Sequence, residues 1–315
     1  MDFGKLQDIS DVDFTLPPDH PDTGPLLARL KTHRLGLPPE QREKARFYFA
    51  APVWNDREFV GRIYPRGVKP QDYLREYARV FNSVELNSTY YGVNPEHIKK
   101  WKEAVSPEFR FSPKVPGLIS HEKQLRNVTD DMQRFTEAVS AFGENLGPLF
   151  LLLPPSFGPP QIKFLEKFLG DFTSAKDAGM RIAIEVRNLD WFSNKRAQKH
   201  LFDLLESHGA ISIITDTAGR RDAVHQRPTS SAAMIRFLGN RHDPSDFTRL
   251  DDWAERIKNW YARGLRTIYF FIHQPTEHLI IELAEHLVTR INAVCGSEIP
   301  VPRPVPPEPV QQELF

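Results

Sequence analysis

Eight short apolar runs, each followed by residues of a different period, constrain this 315-residue chain more than any other feature. From Arg46 onward they read R-F-Y-F-A-A, S-V-E-L-N, F-R-F-S-P-K, P-L-F-L-L-L, R-I-A-I-E-V, A-I-S-I-I-T, A-M-I-R-F-L and T-I-Y-F-F-I. Their length and their β-branched and aromatic content predict strands. Between them lie Y-L-R-E-Y-A-R-V-F, D-D-M-Q-R-F-T-E-A-V, I-K-F-L-E-K-F-L, H-L-F-D-L-L-E-S-H and W-A-E-R-I-K-N-W-Y, with apolar residues at helical spacing, and a last helix is expected over Glu277 to Val294. Strand and helix in alternation predict parallel βαβ units, and eight of them predict an α/β fold of the (β/α)8 TIM-barrel type. No G-x-G-x-x-G follows the first strand, which argues against a dinucleotide-binding sheet. The expected organisation is an irregular extension over 1–45, where Asp, Pro and Gly alternate with few apolar periods. The barrel follows over 46–295 and a proline-rich tail over 296–315.

Composition narrows the function classes. Lys plus Arg and Asp plus Glu number 41 each, so the body exerts no general pull on a polyanion, and charge matters only where it is local. The longest apolar runs, such as Leu149 to Leu153, are too short to span a bilayer, so no membrane segment is expected. The opening M-D-F-G-K-L-Q-D-I-S lacks a basic stretch followed by an apolar one, so the expected location is the cytoplasm. A lone cysteine, Cys295, excludes an internal disulfide and reads as a helix residue.

In a barrel of this type chemistry sits where strands end, because apolar strands must there give way to polar loops. The residues at those ends are Trp54, Glu85 with Asn87, Lys114, Pro154, Glu185 with Arg187, Asp216, Arg236 and His273. Charges at almost every strand end are costly to bury unless they pair with one another or with a ligand. Either Glu85 pairs with Lys114 and Glu185 with Arg187 or Arg236 as an internal network, or the set is a site. Glu85, Glu185 and Asp216 are the candidates for acid/base work, with Lys114 and Arg187 stabilising developing charge.

The covering loops are basic: Arg57, Arg62, Arg66 and Lys69, then His121, Lys123 and Arg126, then Arg220, Arg221 and Arg227, then Arg241 and His242. Such a mouth on a neutral body predicts an anionic ligand, a phosphate ester or a nucleic-acid backbone. Trp54, Tyr64, Tyr90, Tyr91, Trp191 and Phe192 fall in the same regions and would suit stacked rings. Glu85, His121, Glu185, Asp216 and His273 are of metal-ligating types. No local H-x-x-x-H or H-x-H joins them and Lys114, Arg187 and Arg236 would repel a cation, so no metal and no other cofactor is assigned. No G-x-S-x-G provides a serine nucleophile.

Three segments carry a family likeness: Y-A-R-V-F-N-S-V-E-L-N-S-T-Y-Y, W-K-E-A-V-S-P-E-F-R-F-S-P-K-V-P-G-L-I-S-H and I-E-V-R-N-L-D-W-F. The chain from about Tyr48 to Val294 resembles the YecE-like TIM-barrel family, domain of unknown function 72. The resemblance implies roles for Trp54, Tyr64 and Pro65, for Glu85, Asn87 and Thr89, for Lys114 and His121, and for Glu185 with Arg187. The chain departs from the family pattern at Ala50-Ala51-Pro52, where many members carry a glycine. It departs again at F-F-I-H-Q-P, where His273 stands in place of paired asparagines. The family has no settled activity. Its barrel is similar to that of type IV apurinic endonucleases, which implies a link to nucleic acid, although the metal-binding histidines of those enzymes are not matched.

The tail I-P-V-P-R-P-V-P-P-E-P-V-Q-Q-E-L-F predicts an extended spacer. Its last five residues resemble the Q-x-x-L-F peptide with which bacterial replication and repair proteins engage the sliding clamp, Gln311 entering a polar pocket and Leu314 and Phe315 an apolar one. The expected function is binding of a phosphate-bearing ligand, DNA or RNA among them, at the strand ends, with phosphoester hydrolysis as its chemistry. The alternatives are a non-catalytic repair adaptor that uses its tail, and a sugar-phosphate enzyme.

Overall fold

The computed structural model describes residues 3–41, 44–174, 179–276 and 279–305. The order along the chain begins α1 (Thr23–Gly36), β1 (Arg46–Ala50), α2 (Tyr73–Val80), β2 (Ser83–Leu86), α3 (Pro95–Glu103), β3 (Arg110–Pro113), α4 (Thr129–Ser140), β4 (Leu149–Leu152) and α5 (Ile162–Ser174). It continues β5 (Ile182–Glu185), α6 (Asp190–Ser193), α7 (Lys195–Ser207), β6 (Ile211–Asp216), β7 (Ala232–Leu238), α8 (Pro244–Arg263), β8 (Thr267–His273) and α9 (Ile280–Cys295). All eight apolar runs are strands. The helices start where side chains can satisfy the first free amides: Asn94 accepts from Glu96 N before α3, and Asn194 from Arg196 N and Ala197 N before α7. No described helix is long and apolar enough to cross a membrane.

The strands form a six-stranded parallel sheet in the order β1-β8-β7-β6-β5-β4 and a separate parallel pair, β2-β3. The fold is therefore α/β with a mostly parallel sheet, and its hydrogen-bond ladder is not closed. Two side-by-side joints explain where it stops. Between β3 and β4 only isolated bridges occur, Phe111 with Leu146 and Lys114 with Phe150. Between β1 and β2 a side chain replaces the ladder: Asn82 accepts from Phe49 N (2.8 Å) and donates to Phe47 O (2.9 Å). The Tyr77 hydroxyl reinforces it, within 2.9 Å of both Ala51 N and Ala51 O and 3.0 Å from Ser83 O.

Alternation along the strands sorts side chains into two sets. Tyr48, Ala50, Phe150, Ala183, Ile211, Ile213, Ala232, Met234, Tyr269 and Phe271 form one buried apolar cluster. Their neighbours in sequence, such as Phe49, Ile184, Ile235 and Phe270, belong to the larger core shared with the helices.

The extension is irregular only in part. It carries α1, which buries Thr23, Leu26 and Leu27. The connection from β6 to β7 has only a short 3-10 turn, Arg221–Ala223, among its described residues, so it supplies no helix to cover the sheet there. α1 takes that place. Its approach is held on α8 by Asp19, which accepts from Arg256, Arg263 and the Trp260 indole (2.9, 2.7 and 2.9 Å), and α1 is tied to α7 by Arg29 with Glu206. Thr23 Oγ1 donates to Gln226 O in the helix-less connection (2.8 Å). The extension lacks a legible helical period because so few residues of α1 are buried. At the other end, Pro302 is buried and Val305 N donates to Arg62 O (2.5 Å), so the tail returns along the body to the loop after β1. Gln311, Leu314 and Phe315 lie outside the described residues.

Candidate functional site at the strand ends

The inward-facing set that begins as apolar layers ends in charge. Continuing each strand by two residues leads from Ser83 to Glu85 and Asn87, from Ser112 to Lys114, from Ala183 to Glu185 and Arg187, from Met234 to Arg236, and from Phe271 to His273. The fully buried Arg236 is the hub. Its Nε and Nη2 donate to the two oxygens of Glu85 (2.9 and 3.1 Å), and Nη1 donates to Glu185 Oε2 (2.5 Å). The second oxygen of Glu185 accepts from Arg187 Nε (2.7 Å). His273 Nε2 lies 3.0 Å from Glu85 Oε2, a contact that requires the proton on that nitrogen.

Burial pushes the Glu85 carboxyl upward, but the charges of Arg236 and His273, with their hydrogen bonds, hold it well below the usual carboxylate range. For Glu185 burial is likewise outweighed by Arg236 and Arg187, and its carboxyl is lowered to about 2. Burial lowers the pKa of His273, Glu85 only partly reverses this, and Arg236 lowers it further. Glu85 is thus paired with Arg236 rather than with Lys114, while Glu185 takes both arginines foreseen for it.

Lys114 is left outside that balance. Its ammonium has a long contact to Asn87 Oδ1 (3.4 Å) and lies over the rings of Tyr90 (4.7 Å) and Phe150 (5.8 Å). Asn87 is itself anchored by donating to Glu85 Oε1 (3.2 Å). Among the described residues no carboxylate forms an ion pair with Lys114. Burial lowers its pKa, Glu85 offsets this in part, and Arg236 and Arg187 add to the lowering. His121 borders the same space: its ring meets Tyr90 edge-on at 5.5 Å, its Nδ1 lies 2.8 Å from Ser120 Oγ, and burial followed by Lys114 and Arg187 lowers its pKa.

The other expected residues serve differently. Thr89 Oγ1 lies 2.9 Å from Leu86 O and 2.8 Å from Lys114 O, so it fixes the ends of β2 and β3 relative to each other. Trp54 packs edge-on against Trp101 and accepts from the Tyr64 hydroxyl through its carbonyl. Asp216 is not brought to the cluster. It pairs in register with Phe237 while the preceding Thr215 pairs with Arg236, so its side chain points to the helix side. There it is fully buried against Arg221, Arg249 (3.1 Å) and the Trp253 indole (2.8 Å). Strand parity is the sequence signal that separates it: Asp216 is one residue out of phase with Ile211 and Ile213. Much of the loop charge is also locally neutralised, Lys123 by Asp131, Arg227 by Glu206 and Arg220 by Asp222. No group of three or more His, Cys, Asp and Glu side chains that could hold a metal ion occurs among the described residues. A cavity of about 600 Å³ bounded by Val128, Phe168 and Met180 lies toward the opposite end of β5, away from Lys114.

Comparison with known proteins bears on this arrangement. The family model described as "Protein of unknown function DUF72" matches residues 48–307. The UPF0759 protein YecE of Escherichia coli (strain K12) is 30% identical over 287 residues, covering 85% of this chain and 99% of that protein. The UPF0759 protein YunF of Bacillus subtilis (strain 168) is 22% identical over 248 residues, covering 73% of this chain and 80% of that protein. Among solved structures, a DUF72 family protein (EF0366) from Enterococcus faecalis V583 superposes with a TM-score of 0.61 at 18% identity, covering 83% of this chain and 100% of that one.

Proposed function

Because this chain belongs to the DUF72 family, whose description assigns no activity, we propose its function from its own strand ends: they bind a phosphate-bearing ligand, with Lys114 as the principal cation. The observation that carries this reading is the imbalance around Lys114. Glu85 and Glu185 are taken up by Arg236 and Arg187, and among the described residues the half-buried ammonium has no polar partner nearer than one amide oxygen at 3.4 Å. An oxyanion beside Asn87 would restore the charge that burial disfavours. Arg187, His121 and the Tyr90 ring complete the lining. The same reading takes the eight strands as one (β/α)8 barrel, with Asn82 and Tyr77 sealing the β1–β2 joint and the ligand entering at its carboxyl-terminal end.

In phosphoester hydrolysis the group placed to pass a proton is Lys114, since Arg236 keeps Glu85 and Glu185 ionised and makes them holders of the cationic array. The test is titration of the full chain with inorganic phosphate, glucose 6-phosphate and labelled single-stranded DNA, duplex DNA and RNA over a salt series, with Lys114→Met as control. The expected result is binding that weakens with salt and falls about tenfold or more in Lys114→Met, whose thermal midpoint stays at or above that of the parent. Equal affinity in the variant, or no binding of any phosphate probe, overturns the proposal. Preference for glucose 6-phosphate over inorganic phosphate and the nucleic acids favours the sugar-phosphate alternative.

A second reading, a repair adaptor, is favoured by one observation: Val305, the last described residue, is tied to Arg62 in the loop after β1, on the face that holds Lys114. On this reading Gln311, Leu314 and Phe315 engage a sliding clamp beside the ligand. Deletion of 311–315 that leaves clamp binding unchanged would sink it.

A further inference from the structure

Two guanidinium groups at the strand ends face a single ring, and that ring belongs to the chain's own amino terminus. The Phe3 ring lies 4.5 Å from the Arg187 guanidinium carbon and 4.9 Å from that of Arg220, within cation–π range of both. The edges of these guanidinium groups are already occupied. Arg187 donates through Nε to Glu185 (2.7 Å), and Arg220 donates to both oxygens of Asp222 (2.8 and 2.7 Å) and to Arg187 O (2.8 Å). Carboxylates thus fix the two planes and leave faces for a flat partner.

Phe3 is delivered there by a built-in turn. Gly4 has a φ of +69°, and its carbonyl accepts from Gly219 N (2.7 Å) and Thr217 Oγ1 (2.8 Å). A Cβ at that position would meet Thr217 Cγ2 at 2.4 Å, so only glycine fits the strap in this place. Residues 3 and 4 lie outside the segment that matches the family model.

We infer that Arg187 and Arg220 form a stacking subsite for a planar ring, the nucleobase of a nucleotide whose phosphate is held at Lys114, and that Phe3 occupies this subsite as a tethered competitor. The inference rests on the proposed anion site, which it extends to a ligand class. Strands β3 and β5, which end near Lys114 and Arg187, have one strand between them and so stand roughly 10 Å apart, a span suited to the phosphate and base of one nucleotide. A ring tethered by so short a strap competes as if present at roughly millimolar concentration.

Calorimetric titration of the full chain and of Phe3→Ala with inorganic phosphate, adenosine and adenosine 5′-monophosphate separates the two subsites, because adenosine has a ring and no phosphate. The expected result is equal phosphate affinity in both proteins, an affinity for the nucleotide about tenfold higher in Phe3→Ala, and adenosine binding gained in Phe3→Ala and lost again in Phe3→Ala with Arg220→Ala. Affinities for adenosine and its monophosphate that are the same with and without Phe3 overturn the ring subsite, whatever phosphate does. A gain for adenosine with no phosphate binding to either protein upholds the ring subsite and removes the anion site. Gly4→Ala, which releases the strap and keeps the ring, should reproduce the gain of Phe3→Ala.

Discussion

Arg236 is the residue on which the site's charge depends. One buried cation serves two buried carboxylates, so its replacement strands both. Arg236→Met should lower unfolding free energy at pH 7 by about 3–5 kcal/mol, and urea titrations should find the deficit smaller near pH 4, where the stranded glutamates can take up protons. An equal deficit at both pH values would contradict this. The parent protein has the opposite dependence. Glu185 is depressed from 4.5 to about 2 in the folded state, so its contribution is fully present above the unfolded value and is lost as pH falls through the folded one. It amounts to about 3 kcal/mol by linkage, which disappears between pH 4.5 and 2. Lys114 and Arg236 look alike in sequence as strand-end cations. Packing alone divides them into a neutralised hub and an unbalanced neighbour.

Among elements, the junction of β1 with β2 depends on side chains. Asn82 both accepts from and donates to the β1 backbone, acting as one rung of the missing ladder. Asn82→Ala leaves Phe49 N and Phe47 O without partners, which should lower stability by about 1–3 kcal/mol and speed hydrogen exchange at the Phe49 amide. Asn82→Asp retains the acceptor and should restore protection at Phe49 without restoring the full stability. Unchanged exchange in both variants would mean that the joint holds without Asn82. The strands themselves were legible because buried parallel strands are apolar throughout. α3 leaves little apolar period in the sequence, because it buries only Ile98.

At the scale of the whole molecule, the chain covers its sheet with a helix borrowed from the amino terminus. α1 stands between α7 and α8 beside the connection from β6 to β7, and Asp19 locks its approach to α8 through three donors. Asp19→Ala should lower the unfolding free energy by about 1–3 kcal/mol and open 3–36 to proteolysis before the rest of the chain unfolds. Cleavage that begins elsewhere would show that the extension is not the least stable unit. The strap at Gly4 is continuous with this extension, so the segment that completes the fold also reaches the site.

The α/β alternation, the eight strands, the family and most of the strand-end residues can be read from the chain alone, because each of these is written in local period or in contiguous motif. Glu85, Asn87, Lys114, Glu185, Arg187, Arg236 and His273 were all legible as polar residues closing apolar runs. Which of them share an interior follows from the folded arrangement of the strands. Asp216 differs from its neighbours by one step of strand parity, and that step turns it toward Arg249 and Trp253. The partner of each charge was equally hidden: Glu85 and Arg236 are 151 residues apart, and Phe3 meets Arg187 and Arg220 from the far end of the chain. Local sequence sets period and burial, whereas charge pairing depends on distances that exist only once the strands have been brought side by side.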